Sequence, residues 1–158
     1  MFAMRTSAVV LLVITVLGCR RDTDPFVPET IIRLERGALE RWGKGDPDGY
    51  LSIMAPEITY FDPTVSMRID GREMLKPLLE VVRGRLSIEQ AEMINPAVMR
   101  DGHVAVLTFN LISRGASLNG SPRRDVKWNS TEVYRQIDGN WKIVHSHWSY
   151  TTPPLAQP

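Results

Sequence analysis

"NWKIVHSHWSY", residues 140–150, puts two histidines, two tryptophans and a tyrosine into eleven residues, and which of its faces is buried decides how the chain closes. The alternation predicts a β-strand with Trp141, Ile143, His145 and His147 on one face. Lys142, Val144, Ser146, Trp148 and Tyr150 form the other. Residues 126–137 also alternate with period two, and Asp138-Gly139 between the segments is a hairpin signal. A plain two-residue loop pairs Ile137 with Asn140 and sets His145 opposite Glu132 on one face. A Gly bulge at the turn moves the register by one, so that Ser146 and Trp148 share the face of Glu132, Ser130 and Trp128. The bulged register is favoured, because Lys127, Asn129, Thr131 and Arg135 make the opposite face of the preceding strand the more polar one. His145 and His147 then look outward, toward solvent or a subunit interface.

Outward from this hairpin, residues 87–99 and 103–113 carry the same period, with Asp101-Gly102 as a turn between them. "RGASLNGSPRRD", residues 114–125, reads as a longer loop. Upstream, Ile31, Leu34, Ala38 and Trp42, with Ile32 and Leu39 alongside, form the stripe of an amphipathic helix over residues 29–44, ended by Gly43 and Gly45. Asp46 is placed to cap a second, short helix with Pro47 in its first turn. "EITYFDP", residues 57–63, reads as a strand. Residues 70–84 read as a third helix burying Met74, Leu75, Leu78, Leu79 and Val82, with a kink or late start at Pro77. Helices followed by a run of antiparallel strands predict an α+β fold, with three helices packed on one face of a conical, curved antiparallel sheet.

The first residues stand apart from this domain. Arg5 precedes the apolar run of residues 8–17 and then Gly18-Cys19, the layout of an exported leader. The run is half the roughly 20 residues that a spanning helix needs. "VLGC", residues 16–19, resembles the bacterial lipobox, with Val16 where leucine is usual. That implies acylation of Cys19, a membrane anchor and a cell-envelope location, at the periplasmic face of an outer membrane if there is one. The expected layout is a signal peptide at residues 1–18, a tether at 19–28 and a domain at 29–154. Cys19 is the one cysteine of the 158 residues, so no disulfide can form within the chain. Cleavage before Cys19 removes one charged residue, Arg5, from 19 basic and 18 acidic residues. The balanced charge that remains argues against nucleic acid as a partner.

"WGKGDPDGYLSIMAPEITYFDP", "DGREML", "INP" at residues 94–96 and "VYRQIDGNWKIVHSHWS", in that order and with a trailing "PP", resemble the nuclear transport factor 2-like superfamily, also called SnoaL-like or cystatin-like. Within it, the chain is most similar to the calcium/calmodulin-dependent protein kinase II association-domain group. The resemblance implies a cone whose helices close over the concave face of a bent sheet and leave a pocket at the open end, with Trp148 facing inward. The kinase group lines that pocket with arginines, and the corresponding positions here are Asn110, Glu132 and Trp148. It also implies a homodimer or higher homo-oligomer.

A second likeness is to ketosteroid isomerase. It places Asp62 of "YFDP" at the position of a general base and Glu132 at that of a protonated carboxyl group, a pair whose pKa logic is a worked example of general acid–base chemistry. Ala38 falls where that family has its oxyanion tyrosine and cannot donate. Asp62 is equally suited to capping the turn before Pro63, and Glu132 to pairing with Arg114 or Arg135.

Three functions are therefore expected in order. The first is a lipid-anchored envelope domain that binds a small, mostly apolar molecule without catalysis, through Tyr60, Asn110, Trp128, Ser130, Tyr134, Ser146 and Trp148. The second is an isomerase, cyclase or dehydratase using Asp62 as base and Glu132 as acid. The third is an oligomerisation module using an outward face with Trp141, Ile143 and the two histidines. No cofactor and no metal are expected, because His145 and His147 lack a convergent third ligand.

Overall fold

The computed structural model describes residues 26–151, so Cys19, the expected signal peptide and most of the tether lie outside the described residues, as do residues 152–154. Helix α1 spans Phe26–Gly43. Its stripe of Ile31, Ala38 and Leu39 is buried in the core, as the helical period requires. Gly45 (φ +72°) turns the chain out of the helix. Asp46 then accepts the Asp48 N–H at 3.0 Å and pairs with Arg41 at 2.7 Å, which starts α2, Asp48–Leu51. Gly49 packs directly on α1, where a Cβ would lie 2.9 Å from the Ala38 carbonyl oxygen.

Strand β1, Met54–Phe61, and the two-residue β2, Ile69–Asp70, pair antiparallel and lead into α3, Arg72–Glu80. The third helix starts at Arg72 and runs through Pro77 rather than beginning after it. It buries Leu75 and Leu79, while Met74 is 71% exposed. Met74 sits on the solvent side because only the (i, i+4) pair of leucines faces β1.

The remaining strands are β3, Leu86–Ser87; β4, Gln90–Asp101; β5, Val104–Leu118; β6, Arg124–Ile137; and β7, Asn140–Tyr150. They form one seven-stranded sheet in the order β2-β1-β7-β6-β5-β3, with β4 pairing along the rest of β5. The expected α+β architecture is present, with one correction. β1 runs parallel to β7, so the sheet is mixed. The parallel pair arises because the chain crosses from β1 through α3 and five strands before returning to its edge.

Register shifts interrupt β4 between Ile94 and Ala97, β5 between Ser113 and Ala116, and β7 opposite Val133 and Tyr134. Asn95 (φ +48°) and Gly115 (φ +58°) occupy the first two. Each irregularity bends its strand and adds twist, which curls the sheet around the helices. The core fills the concave side with Ile58, Leu107, Phe109, Leu111, Tyr134 and Ile143 against Ile31, Leu39, Leu75 and Leu79.

Candidate functional site: an aromatic cavity above a buried carboxyl network

The β6–β7 hairpin sets the inner wall. Ile137 pairs with Asn140, and Asp138 (φ +48°) and Gly139 (φ +77°) are both left-handed, which makes the turn a plain two-residue one. The extra residue is Val144 instead. Tyr134 pairs with Ile143 and Val133 with His145. Below the bulge Trp141 packs against the core and Ile143 is fully buried in it; above it Ser146 and Trp148 take over the inner face, while His145 and His147 turn outward. The face expected to present Trp141 and Ile143 together with the histidines is thus split in two. Ser146 lies opposite Glu132 and Trp148 opposite Ser130, the pairing that the bulged register predicts, reached from a bulge in the strand.

A cavity of about 460 Å³ opens between α1, α3 and the far ends of β5, β6 and β7. Trp42, Tyr50, Trp128 and Trp148 form its aromatic wall, and Leu78, Leu79, Leu111 and Val126 add aliphatic surface. The rings touch edge to face. Trp148 lies 5.6 Å from Phe109, 6.2 Å from Trp128 and 6.5 Å from Tyr50, centroid to centroid. Tyr150, half exposed, stacks on Trp128 at 4.7 Å at the rim. Such T-shaped and tilted contacts hold large rings in fixed orientations.

Of the residues singled out in the sequence, Tyr60, Asp62, Trp128 and Trp148 line this cavity. Asp62 caps its own turn, accepting the Thr64 N–H at 2.6 Å and hydroxyl at 2.5 Å, while its other oxygen accepts the Tyr60 hydroxyl at 2.9 Å. Asn110 is a correction. It follows buried Phe109 and precedes buried Leu111, so alternation turns it outward, where it bonds Asn129 at 2.8 Å. Ser130, Glu132, Tyr134 and Ser146 are a second correction. They are on the concave face but deeper than the cavity, where α1 closes the narrow end of the cone, and they do not line it.

That deeper layer is a polar network. Glu132 is 0% exposed; its Oε1 accepts Ser146 Oγ at 2.9 Å and Ser130 Oγ at 3.2 Å, and Ser146 Oγ accepts the Trp148 indole N–H at 3.0 Å. Glu132 Oε2 is buried with no hydrogen-bond partner among the described residues. Burial pushes its carboxyl well above the ordinary carboxylate range, and the Glu35 carboxyl nearby adds to the shift. The protonated form is therefore the one this site favours, and neither Arg114 nor Arg135 pairs with it. Arg114 binds Glu92 and Asp125, and Arg135 binds Glu57.

Glu35 was not singled out in the sequence. It is fully buried, accepting the Tyr50 hydroxyl at 2.7 Å and the Tyr134 hydroxyl at 2.5 Å. Burial raises its pKa, and the two tyrosine hydrogen bonds oppose that rise. Its position was legible: it falls four residues after Ile31 and four before Leu39, on the apolar stripe.

The family model for the calcium/calmodulin dependent protein kinase II association domain matches residues 29–152. The chain belongs to that family. Its fold is the nuclear transport factor 2-like cone. A candidate ketosteroid isomerase from Parabacteroides distasonis is 35% identical, with 86% of this chain and 95% of that one covered at a TM-score of 0.68. A nuclear transport factor 2-like protein from Pseudomonas putida KT2440 superposes with a TM-score of 0.69 at 18% identity, covering 85% and 94%. The kinase II hub homology domain of Chlamydomonas reinhardtii gives 0.66 at 22% identity, covering 79% and 98%. Within this association-domain frame the "GD…GY" motif has a physical account: Gly45 and Asp46 turn the chain, Gly49 allows close approach, and Tyr50 reaches Glu35.

Proposed function

We propose that this chain is a lipid-anchored cell-envelope domain that holds a small, mostly apolar molecule in its cone and performs no reaction on it. The observation that carries the binding reading is the aromatic cavity of about 460 Å³, within the size range of small-molecule sites and walled by Trp42, Trp128 and Trp148. The binding reading is favoured over proton transfer because Asp62 lines the cavity and Glu132 does not. A base and an acid that cannot meet one substrate do not make a proton-transfer pair. Native mass spectrometry of the protein purified from its own host tests the proposal. The expected result is a small-molecule adduct that organic extraction removes. A bare chain that also fails to take up any apolar molecule added back would overturn it. The anchor rests on Cys19, and Cys19→Ala is expected to move the protein out of the membrane fraction.

Assembly into a homo-oligomer is the second reading. It is favoured by the outward sheet row of Met99, Val106, Val133 and His145, with exposed Phe61 between His145 and His147. Sedimentation as a monomer at high concentration would remove it.

A further inference from the structure

The cavity's wall is apolar and aromatic, yet two polar groups on its concave side have no partner. Ser113, on β5, is 4% exposed and lines the cavity, and its hydroxyl makes no hydrogen bond among the described residues. Arg124, the first residue of β6, also lines the cavity and makes no hydrogen bond or ion pair among them. Its neighbours differ in this respect. Arg123 pairs with Glu89 and with the Gly115 carbonyl oxygen, and Arg114 pairs with Glu92 and Asp125. Asp125, the acid nearest Arg124 in sequence, is taken up by Arg114 and the Gly115 N–H.

The two unpartnered groups are on the same strand pair. Ser113 lies opposite Val126, and Arg124 lies two residues along from Val126 on the same face, across the bulge at Gly115. Diagonal neighbours on one face are within reach of a long side chain. The other serines at this end are already occupied: Ser117 donates to the Ser121 carbonyl and the Ser121 hydroxyl accepts the Leu118 N–H. The one acid on the cavity wall among the described residues, Asp62, is on β1's side of the mouth with both oxygens bonded. A hydroxyl open to the cavity and a rim guanidinium, both without protein partners among the described residues at one end of an apolar cavity, are a fork for a planar anion.

We propose that the ligand of this cavity is an amphiphilic monocarboxylate, its apolar body against the tryptophans and its carboxylate on Arg124 and Ser113. This rests on the binding reading above and names the ligand's chemistry. A charge-assisted pair at a partly exposed rim is modest, so the carboxylate is expected to be favoured over a neutral head by roughly tenfold. The preference weakens as salt rises.

The test compares decanoate with decan-1-ol on the purified full chain, read by tryptophan emission at low and high salt. Decanoate is expected to bind roughly tenfold tighter than the alcohol at low salt, consistent with a charge-assisted bond. Arg124→Gln is expected to bring the two ligands level by weakening decanoate more than the alcohol, and Ser113→Ala to reduce the preference in part. Equal affinities in the unaltered protein, or a preference that survives Arg124→Gln, would overturn the carboxylate assignment while leaving the binding reading in place. If neither compound binds, both fall together.

Discussion

Ser146 donates a 2.9 Å hydrogen bond to buried Glu132 and accepts the Trp148 indole N–H at 3.0 Å, so one hydroxyl ties the cavity's back wall to the network beneath it. Replacing it with alanine removes the indole N–H's 3.0 Å acceptor and one of the donors to Glu132. Ser146→Ala is expected to lose about 1–3 kcal/mol of stability in urea unfolding. It should also shift the tryptophan emission. A loss confined to stability, with unchanged emission, would show that Ser146 does not orient Trp148.

Glu132 sets a pH dependence. Its folded-state pKa is raised above that of the unfolded chain, so the native state holds the proton more tightly. The stabilising contribution is complete below the unfolded carboxyl pKa of about 4.3 and declines as pH rises above it toward the raised value. The slope approaches about 1.4 kcal/mol per pH unit for one proton. Glu132→Gln, an isostere of the protonated form, is expected to flatten that decline above the ordinary carboxyl range, measured by unfolding midpoints across a pH series. Glu35 shifts in the same direction, so part of the slope remains in the variant.

Tyr134→Phe removes one of the two hydroxyls that Glu35 accepts. The cost expected is about 1–3 kcal/mol, because a buried carboxyl oxygen is left without its donor. Circular dichroism melting measures it, and an unchanged midpoint would mean that Tyr50 alone satisfies Glu35.

Gly49→Ala tests the seat of α2. The added Cβ would sit 2.7 Å from Arg41 Cβ and 2.9 Å from the Ala38 carbonyl oxygen. Overpacking of that kind costs about 1–3 kcal/mol. Because Tyr50 follows Gly49 in α2, the variant is also expected to weaken ligand binding.

The sequence showed the order of elements, since both periods and most turn residues are local signals. It also showed that Ser146 and Trp148 belong with Glu132, through the polar character of Lys127, Asn129 and Thr131. It did not show where the register slips. A bulge at Val144 carries no glycine, and a non-glycine bulge has no marker of its own. Asn110 was misplaced by likeness to an arginine position, although alternation with Phe109 and Leu111 would have turned it outward. The position of Glu35 on the apolar stripe was legible, but its two tyrosine partners were not, because they lie 15 and 99 residues away. Arg124 was missed for another reason, and Ser113 was passed over at the end of the segment 103–113 that reads as a strand. Residues 114–125 read as a loop, whereas β5 continues to Leu118 and β6 begins at Arg124. The strand extensions that build the cavity's outer rim lie in that stretch, where Gly115, Gly120 and Pro122 mask the pairing.

The central claim is that the cavity itself holds an apolar molecule, and a fluorimetric titration with neutral N-phenyl-1-naphthylamine tests it most directly. Trp42, Trp128 and Trp148 line the cavity, so binding there should quench tryptophan emission as the probe brightens. The expected result is saturable binding of one probe per chain that Ala116→Phe, which fills the cavity beside Arg124, abolishes without altering the far-ultraviolet circular dichroism. Binding that persists undiminished in the folded Ala116→Phe protein, or no binding to the unaltered chain, would contradict it.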